Sequence, residues 1–277
     1  MNKAWQVPCG EVAVEHEVLW RVGVFLAVLL ALAGLERLAP RRPPLQPKAR
    51  RWATNLGLVV IDTLTLRALA LALPILAVAA ALDAGRLGWG LFNALGWPAW
   101  LEVVLAMLIL DLAIWTQHLV THKVPILWRF HRVHHADRDF DVTTALRFHP
   151  VEIAGSAMLK AGLVYLLGPS ALAVVLFEIA LNATAMFNHA NLRLPPWLDR
   201  VVRLVLVTPD MHRVHHSVHR EEHDSNYGFA LSLWDRLFGT HVPEPKAGQD
   251  GMVVGLEWQD DRTMRLGWVL GLPFFRR

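Results

Sequence analysis

The stretch Asp111–His135, DLAIWTQHLVTHKVPILWRFHRVHH, joins an apolar segment to five closely spaced histidines. Its last five residues, His-Arg-Val-His-His, recur unchanged at His212–His216. Each copy places three imidazoles at relative positions 1, 4 and 5, which share one face of an α-helix. Just upstream, His118 and His122 form a further pair at i and i+4. Because neutral imidazole is the commonest protein ligand for transition metals, this pattern predicts a metal site.

The residues around the histidines predict where their helices begin and end. Pro125 disfavours a continuous helix, so a second helix that carries the first pentapeptide can fold back towards His118 and His122. Thr208-Pro209-Asp210 predicts a helix start just before the second pentapeptide, with a capping threonine, a proline and an acid in the first turn. His189 follows another apolar stretch and is placed to complete the set.

Nine histidines are therefore candidate metal ligands, which is too many for one ion. Shared between two ions, they supply four or five nitrogens each and leave positions open for oxygen or water. Nitrogen-rich coordination suits iron, although zinc can replace iron in a purified sample. A dinuclear iron site beside a membrane is suited to O2 activation and to attack on an unactivated C–H bond. The candidate ligands are His118, His122, His131, His134, His135, His189, His212, His215 and His216.

The composition predicts a membrane protein. Hydrophobic residues make up 54% of the chain and charged residues only 18%, whereas soluble proteins carry about 25% charge. The single cysteine, Cys9, excludes a disulfide framework, a thiolate zinc site and a cysteine-bound iron–sulfur cluster. Five apolar stretches are long enough to be considered as spans of a bilayer. They are Val18–Leu38, Thr54–Leu82, Trp100–Leu119, Val151–Leu167 and Ser170–Asn188.

The basic residues predict the orientation of these spans. Five follow the first span and five follow the third, whereas Arg86 is alone between the second and third. The positive-inside rule then puts the N-terminus outside and the C-terminus in the cytoplasm. An uncleaved first span is favoured over a signal peptide, because Glu11, Glu15 and Glu17 make the preceding segment acidic. The ten basic residues are Arg41, Arg42, Lys48, Arg50, Arg51, Lys123, Arg129, Arg132, Arg138 and Arg147.

The predicted fold is thus all-α: an integral membrane helical bundle of about four to five spans, with a cytoplasmic helical cap that holds a histidine-rich dimetal site. We expect N-terminal spans in residues 1–99, a catalytic unit in 100–240 and a cytoplasmic tail in 241–277. The apolar end of that tail, Trp268–Phe275, is expected to rest on the bilayer. The membrane setting accounts for the high pI, so we predict no nucleic-acid partner.

These motifs resemble the fatty acid hydroxylase and sterol desaturase superfamily of integral membrane di-iron oxygenases. The resemblance covers roughly residues 100–240. Two positions depart from the pattern. Leu119 follows the first histidine, where many members have arginine, and His189 stands where fatty acid 2-hydroxylases have a histidine pair. Beyond the histidine motifs, the matching segments are Thr144–Glu152, Asn188–Asn191, Asn226–Gly228 and Trp234–Thr240.

The resemblance implies that all nine histidines are metal ligands. It also implies that His149, Glu152 and Asp224 lie near the site and orient the imidazoles. Asp111 is added from its position, seven residues before His118 and on the same helix face; pairing with Arg67 of the neighbouring span is an equal alternative.

The implied activity is hydroxylation or desaturation of a lipid C–H bond with O2. The substrate is left open among fatty acyl, sterol, carotenoid and ether lipids. The electrons would come from a separate reductase, ferredoxin or cytochrome, since no nucleotide-binding motif is visible in the sequence. A basic cytoplasmic face formed around five arginines is a candidate for docking an acidic donor, and contact of some of them with lipid phosphates is the alternative. The five arginines are Arg129, Arg132, Arg138, Arg213 and Arg220.

The sequence also contains features of two other classes of function. The segment His219-Arg-Glu-Glu-His223 matches the H-x-x-E-H pattern of inverted zinc peptidases, with His219 and His223 as ligands and Glu222 as general base. A metal store or transporter would also use histidine-rich loops, although transporters usually place polar ligands at mid-membrane. Neither alternative accounts for the two identical pentapeptides.

Overall fold

The computed structural model describes residues 16–74 and 76–275, so Cys9, Glu11 and Glu15 lie outside the described residues. Across these residues the fold is helical, with isolated β-bridges and no β-strand. The α-helices are α1 (Glu17–Leu38), α2 (Lys48–Ala70), α3 (Ala77–Leu87), α4 (Leu91–Leu95), α5 (Ala99–Lys123), α6 (Pro125–His135), α7 (Pro150–Leu167), α8 (Ala171–Asn188), α9 (Pro196–Val202), α10 (Pro209–His215), α11 (Arg220–His223), α12 (Leu233–Leu237), α13 (Gly248–Gly251) and α14 (Leu266–Gly271). Short 3₁₀ turns occupy Thr144–Leu146, Asp261–Met264 and Leu272–Phe274.

In the described part of the chain, five helices are long and apolar enough to cross a membrane: α1, α2, α5, α7 and α8. This confirms the predicted all-α class and supports the prediction of a membrane protein. Four of the predicted spans agree with the observed helices closely. The second was drawn too long, because α2 ends at Ala70 and α3 begins at Ala77. Pro74 lies in this gap, where it lacks a backbone donor and disfavours helix in the residue before it.

Helix α8 lies at the centre of the bundle and packs against α1, α3 and α5, while α7 packs against α2 and α3. Small residues line these contacts, such as Ala80 on α3 and Ala173 on α8, and both are fully buried. On the outer surface, large apolar side chains stay exposed; Leu19 and Leu30 of α1 are each 70% exposed. An apolar exterior around a tightly packed interior is what a lipid environment requires.

The C-terminal segment packs under the histidine helix α6. Val269 and Leu272 are buried against Leu58 of α2 and Val133 of α6. Arg132 donates hydrogen bonds to the carbonyl oxygens of Leu272 and Phe275. The segment is therefore fastened to the core through one face, while Phe274 remains exposed.

A buried ion cluster ties α2 to the segment that follows α6. The guanidinium of Arg51 donates to both carboxylate oxygens of Asp137, at 2.8 and 2.7 Å, and to Asp141 at 2.7 Å. Burial opposes ionisation of Asp137, but Arg51 prevails and lowers its pKa to about 2. Arg51 is only 2% exposed and Arg147 is fully buried. The sequence predicts both arginines to lie in the basic segments between the membrane spans. The structure places them in the core beside α6.

Candidate metal centre

The nine histidines predicted from the sequence come together in two buried groups, and the candidate ligand nitrogens within each group lie within 4.8 Å of one another. We call them the five-histidine cluster and the four-histidine cluster. The rings of the two groups also contact each other, since His135 and His216 stack with centroids 4.5 Å apart. The five-histidine cluster contains His118, His122, His131, His135 and His215, and the four-histidine cluster contains His134, His189, His212 and His216.

The two pentapeptides contribute to these clusters in a reciprocal way. The first supplies its outer pair, His131 and His135, to the five-histidine cluster and its middle residue, His134, to the other. The second supplies its outer pair to the four-histidine cluster and its middle residue, His215, to the five-histidine cluster. Each cluster is thus built from an i, i+4 pair of one pentapeptide and the fourth residue of the other, because these positions point to slightly different sides of a helix.

The predicted helix boundaries position these side chains. Helix α5 ends at Lys123 and α6 begins at Pro125, so the two helices fold back on one another at the expected point. The side chain of Thr208 caps α10 by accepting a hydrogen bond from the backbone N–H of Met211. His189 stands at the C-terminal end of α8. Both helix predictions are confirmed.

In the five-histidine cluster, hydrogen bonds determine which ring nitrogen is free. His118 donates from Nδ1 to the carbonyl oxygen of Tyr227 at 2.7 Å, and His131 donates from Nδ1 to Glu152 Oε1 at 2.6 Å. Both neutral rings then carry a lone pair on Nε2, and these two Nε2 atoms lie only 3.1 Å apart. Facing lone pairs repel unless a cation lies between them. The pair therefore fits a metal ion.

The four-histidine cluster has the same character. His189 donates from Nδ1 to the carbonyl oxygen of Ala185, and its Nε2 lies 3.1 Å from His134 Nε2 and 3.2 Å from His212 Nε2. Metal–imidazole bonds are about 2.0–2.1 Å long, so two neighbouring nitrogens on one ion lie about 2.8–3.4 Å apart for bond angles between about 90° and 110°. The observed separations agree with that range.

Buried ring nitrogens without a hydrogen-bond partner also point to metal binding. A buried polar atom that lacks a partner costs free energy, so such atoms are rare in native proteins. Six of the nine rings supply eight of them here among the described residues; the atoms are both nitrogens of His122, both of His135, Nδ1 of His134, Nδ1 of His212, Nε2 of His215 and Nε2 of His216. Because each ring offers one nitrogen to an ion, bound ions would satisfy several of these atoms together.

Burial keeps the rings of the four-histidine cluster neutral, together with those of His135 and His215. Desolvation lowers the pKa of His189 to about 3 and lowers the pKa of its neighbours well below the ordinary value, with mutual repulsion between the rings adding to the effect. The same holds for His135, His215 and His216. Only the neutral ring has a lone pair to offer a metal, so the environment prepares the ligands.

A loop after α11 orients His118. Its residues belong to the segments that carry the family resemblance, but their role could not be predicted from the sequence. Asp235 accepts hydrogen bonds from the backbone N–H groups of Tyr227 and Gly228, each at 2.8 Å, and from the indole of Trp115 at 3.0 Å. These bonds hold the Tyr227 carbonyl under His118. The occurrence of Asn226-Tyr-Gly228 shortly before Trp234-Asp235 is a signal in the sequence for this role. The role itself becomes clear only from the hydrogen bonds between Asp235 and the backbone of Tyr227 and Gly228.

The four residues expected to support the site have different positions. Glu152 binds His131 directly. Asp224 lies 3.6 Å from His122 Nδ1, beyond hydrogen-bond distance, and forms an ion pair with Lys123. His149 instead caps α7: its Nδ1 accepts from the N–H of Val151, and its Nε2 donates to the carbonyl oxygen of Leu270.

Asp111 is the fourth, and it contacts neither a histidine nor Arg67 among the described residues. It accepts a hydrogen bond from the indole N–H of Trp234 at 2.8 Å and another from the backbone of Leu231. It therefore anchors the α12 region to α5. The sequence placed His149 and Asp111 near the metal site. It could not show that the polar atoms of His149 would cap α7, or that the carboxylate of Asp111 would accept a hydrogen bond from an indole.

The segment His219–His223 does not form a peptidase site. His219 is exposed and belongs to none of the histidine groups found in the described chain. The carboxylate of Glu222 is buried, accepting hydrogen bonds from the Ser217 hydroxyl and the Lys246 backbone. It is therefore not available as a general base. His223 lies instead at the edge of the five-histidine cluster, near His122 and Asp224.

The expected basic docking face is smaller than predicted. Arg132 and Arg213 are buried, and Arg213 forms an ion pair with Asp210. Arg138 is half-buried and pairs with Asp261. Arg129 and Arg220 are exposed. The reason is that arginines inside the two pentapeptides lie on the packed sides of their short helices.

A cavity of about 290 Å³ reaches the five-histidine cluster from the interior of the helical bundle. His118 and His131 form part of its wall, whereas none of the four-histidine cluster does. Apolar side chains such as Phe25, Ile114 and Leu146 line much of the rest. The cavity can therefore hold an apolar chain against one of the two clusters.

Comparisons with known proteins agree with this site. A model of the fatty acid hydroxylase family matches residues 103–240. The alkylglycerol monooxygenase of Xenopus tropicalis is 35% identical over 153 residues, 53% of this chain and 31% of that protein. The ornithine lipid hydroxylase of Rhizobium tropici is 35% identical over 163 residues, 57% of this chain and 47% of that protein.

A cholesterol 25-hydroxylase-like protein of Danio rerio is 31% identical over 146 residues, 50% of this chain and 55% of that protein. The chain thus spans between about a third and about half of the length of these relatives. No solved structure matches it. The matched region contains all nine clustered histidines and the loop that orients His118. The chain belongs to the fatty acid hydroxylase family.

Proposed function

We propose that the chain is a membrane-bound non-haem di-iron oxygenase that hydroxylates a lipid C–H bond with O2 and externally supplied electrons. The observation that carries the proposal is the pair of facing Nε2 atoms on His118 and His131, 3.1 Å apart on the wall of an apolar cavity. The relatives named above are all called hydroxylases or monooxygenases, which favours hydroxylation over desaturation.

The donor set is compatible with iron. It consists of imidazole nitrogens without thiolates, which suits iron, and zinc would compete for the same sites in a purified sample. Two iron ions, one in each cluster, would supply the activation of O2 and the abstraction of hydrogen from the lipid. The overall change consumes one O2, two electrons and two protons, converts C–H to C–OH and releases one water.

The chain's own residues bind the lipid, orient the imidazoles and exclude water from the site. Glu152 holds the Nδ1 proton of His131 and so directs Nε2 inward. The carbonyl oxygens of Tyr227 and Ser225 do the same for His118 and His215. The apolar cavity wall binds the lipid chain and excludes water. Phe25 and Val59 belong to that wall, so residues 1–99 contribute to the proposed catalytic unit at 100–240.

We further propose that the site faces the cytoplasm and that the chain is multi-pass. The basic residues between the first two spans and after the third support this orientation. A reporter fused after Arg277 should be cytoplasmic, and one inserted near Gly85 should be outside. The reverse result would refute the orientation and leave the site on the wrong side for a cytoplasmic donor.

The electron donor would approach beside the five-histidine cluster. Trp128 is half-buried there, with its ring stacked on His223 at 5.3 Å and lying 4.9 Å from the ring of His122. Arg129 and Arg220 are exposed on the same segments, which suits an acidic partner. The histidines themselves are shielded from solvent, so a donor would act through this surface.

The proposal is tested on full-length protein loaded anaerobically with ferrous iron in lipid bilayers. Metal analysis should approach two iron ions per chain, and a value of one or none in folded protein would contradict the proposal. With labelled O2, a reducing partner and a cellular lipid extract, we expect a lipid product that carries one labelled oxygen. An unlabelled double bond would identify a desaturase instead, and turnover without O2 would refute both. A variant with His131→Ala and His134→Ala is the inactive control.

A further inference from the structure

The cavity contains polar side chains as well as apolar ones, and most of them already have partners. Ser156 donates to Gln117 at 3.1 Å, and Asn182 donates to the backbone oxygen of Glu178. Lys160 forms an ion pair with Glu178, and the second carboxylate oxygen of Glu178 forms an ion pair with Arg21 at 2.8 Å. Each of these side chains thus already has at least one partner within the protein.

Asp62 of α2 is different. It lies on the wall of the cavity and is only 8% exposed. Its Oδ1 is fully buried without a hydrogen-bond partner, and no hydrogen bond or ion pair joins its carboxylate to any described residue. The cation on this wall, Lys160, is bound to Glu178. A buried carboxyl group left in this state costs free energy, which a ligand that donates a hydrogen bond would offset.

Asp62 lies near the end of the cavity that is lined by the five-histidine cluster. Helix α2, which carries Asp62, packs against α7, which carries Glu152, and Glu152 directly binds His131. His118 and His131 form part of the same wall. A ligand group held by Asp62 therefore lies near the five-histidine cluster rather than at a remote end of the cavity.

We propose that Asp62 binds a hydrogen-bond donor of the lipid, a hydroxyl or an ammonium group, close to the carbon that is oxidised. The substrate is then a lipid with a polar donor near the reacting carbon, and not a plain hydrocarbon chain. This inference rests on the proposed function for the lipid nature of the occupant. It adds a specificity residue on a helix outside the region that matches the family.

The test measures binding without turnover, on the full metal-loaded chain under anaerobic conditions. A hexadecylglycerol that carries a photoreactive diazirine in its chain is crosslinked into the cavity, and unlabelled lipids compete with it. The competitors are 1-O-hexadecylglycerol, which has hydroxyl donors, hexadecylamine, which has an ammonium group, and 1-O-hexadecyl-2,3-di-O-methylglycerol, which has acceptors only. We expect the unaltered protein to prefer at least one donor lipid over the dimethyl ether by about 10-fold or more.

The variants identify the residue responsible. Asp62→Leu should remove the preference and leave the dimethyl ether binding as before, which also shows that the variant is folded. Asp62→Asn should retain a hydroxyl preference but lose an ammonium preference, because the amide is uncharged. Asp83→Asn, a carboxylate of α3 outside the cavity, is the matched control and should keep the wild-type preference.

Two results would overturn the inference: equal competition by all three lipids in the unaltered protein, or a preference that survives Asp62→Leu. Its failure is distinguishable from failure of the proposed function. Oxygen incorporation without any donor preference would reject only the role of Asp62, whereas a donor preference without oxygen incorporation would reject only the oxygenase.

Discussion

The two histidine clusters are built from the same pentapeptide and yet differ in three ways. One has five histidines and the other has four. The larger one touches the cavity through His118 and His131, whereas the smaller one does not. In the larger cluster, three rings have a hydrogen bond at Nδ1; in the smaller one, the contact found in the described chain is that of His189.

Repetition of the pentapeptide therefore did not produce two equivalent sites. The elements added around the pentapeptides distinguish them: α5 contributes an i, i+4 pair to one cluster, and the end of α8 contributes one ring to the other. The larger cluster has donors to spare and faces the cavity, so we infer that it is the one next to the reacting carbon.

The largest expected effect comes from removing one histidine from the smaller cluster. His189→Ala leaves three donors, so we expect the iron content to fall from two ions to one per chain and activity to fall at least about 100-fold, beyond the range seen for mere supporting residues. His122→Ala leaves four donors in the larger cluster and should keep both ions, with a smaller loss of activity. Metal analysis and product formation measure both variants. Equal loss of metal in the two variants would show that the count of five against four has no consequence.

The next effect concerns orientation within the larger cluster. Glu152→Gln keeps a hydrogen-bond acceptor for His131 but removes the charge that holds its Nδ1 proton. We expect activity to fall about 10-fold to 100-fold with both ions retained. Glu102→Gln, in the first turn of α5 and at the opposite end of that helix from His118 and His122, is the control and should be near wild type. Metal loss in Glu152→Gln equal to that in His189→Ala would place Glu152 among the ligands instead.

A smaller effect is expected from the loop that supports His118. An added Cβ at Gly228 would lie 2.8 Å from both the Leu231 carbonyl oxygen and Val207 Cγ2, and 2.9 Å from Asp235. Gly228→Ala should therefore destabilise the protein by about 1–3 kcal/mol and disturb the larger cluster before the smaller one. Thermal unfolding measures the effect. Gly162→Ala has open space around its Cβ and should unfold at the wild-type temperature or above. Identical behaviour of the two variants would mean that the loop is not tightly held.

The smallest expected effect is at His219, which is exposed and lies outside both clusters. His219→Ala should change metal content and activity by less than about twofold, as is usual for a surface substitution. Loss of one ion in this variant would mean that His219 is a metal ligand. It would then support the peptidase interpretation and contradict the assignment of both ions to the two clusters.

Several features could be predicted from the sequence because they depend on local physics. Apolar runs of sufficient length predicted the five long helices, Pro125 predicted the break between α5 and α6, and Thr208 predicted the start of α10. Spacing alone showed that His131 and His135 share a helix face. The second span was wrong because its apolar composition continues through Pro74, where the backbone can no longer continue as a helix.

The residues that are able to bind metal, and the helices that carry them, follow from the order of amino acids alone. How the nine rings divide into five and four depends on the packing of α6 and α10 against α5 and α8. Helix packing also determines that Arg51 and Arg147 are buried, that Asp111 binds an indole, and that Asp62 faces a cavity without a partner. The physical reason is the same in each case: helix periodicity and capping act within a few residues, whereas a polar atom's partner is usually far away in the chain and is known only once the helices have packed.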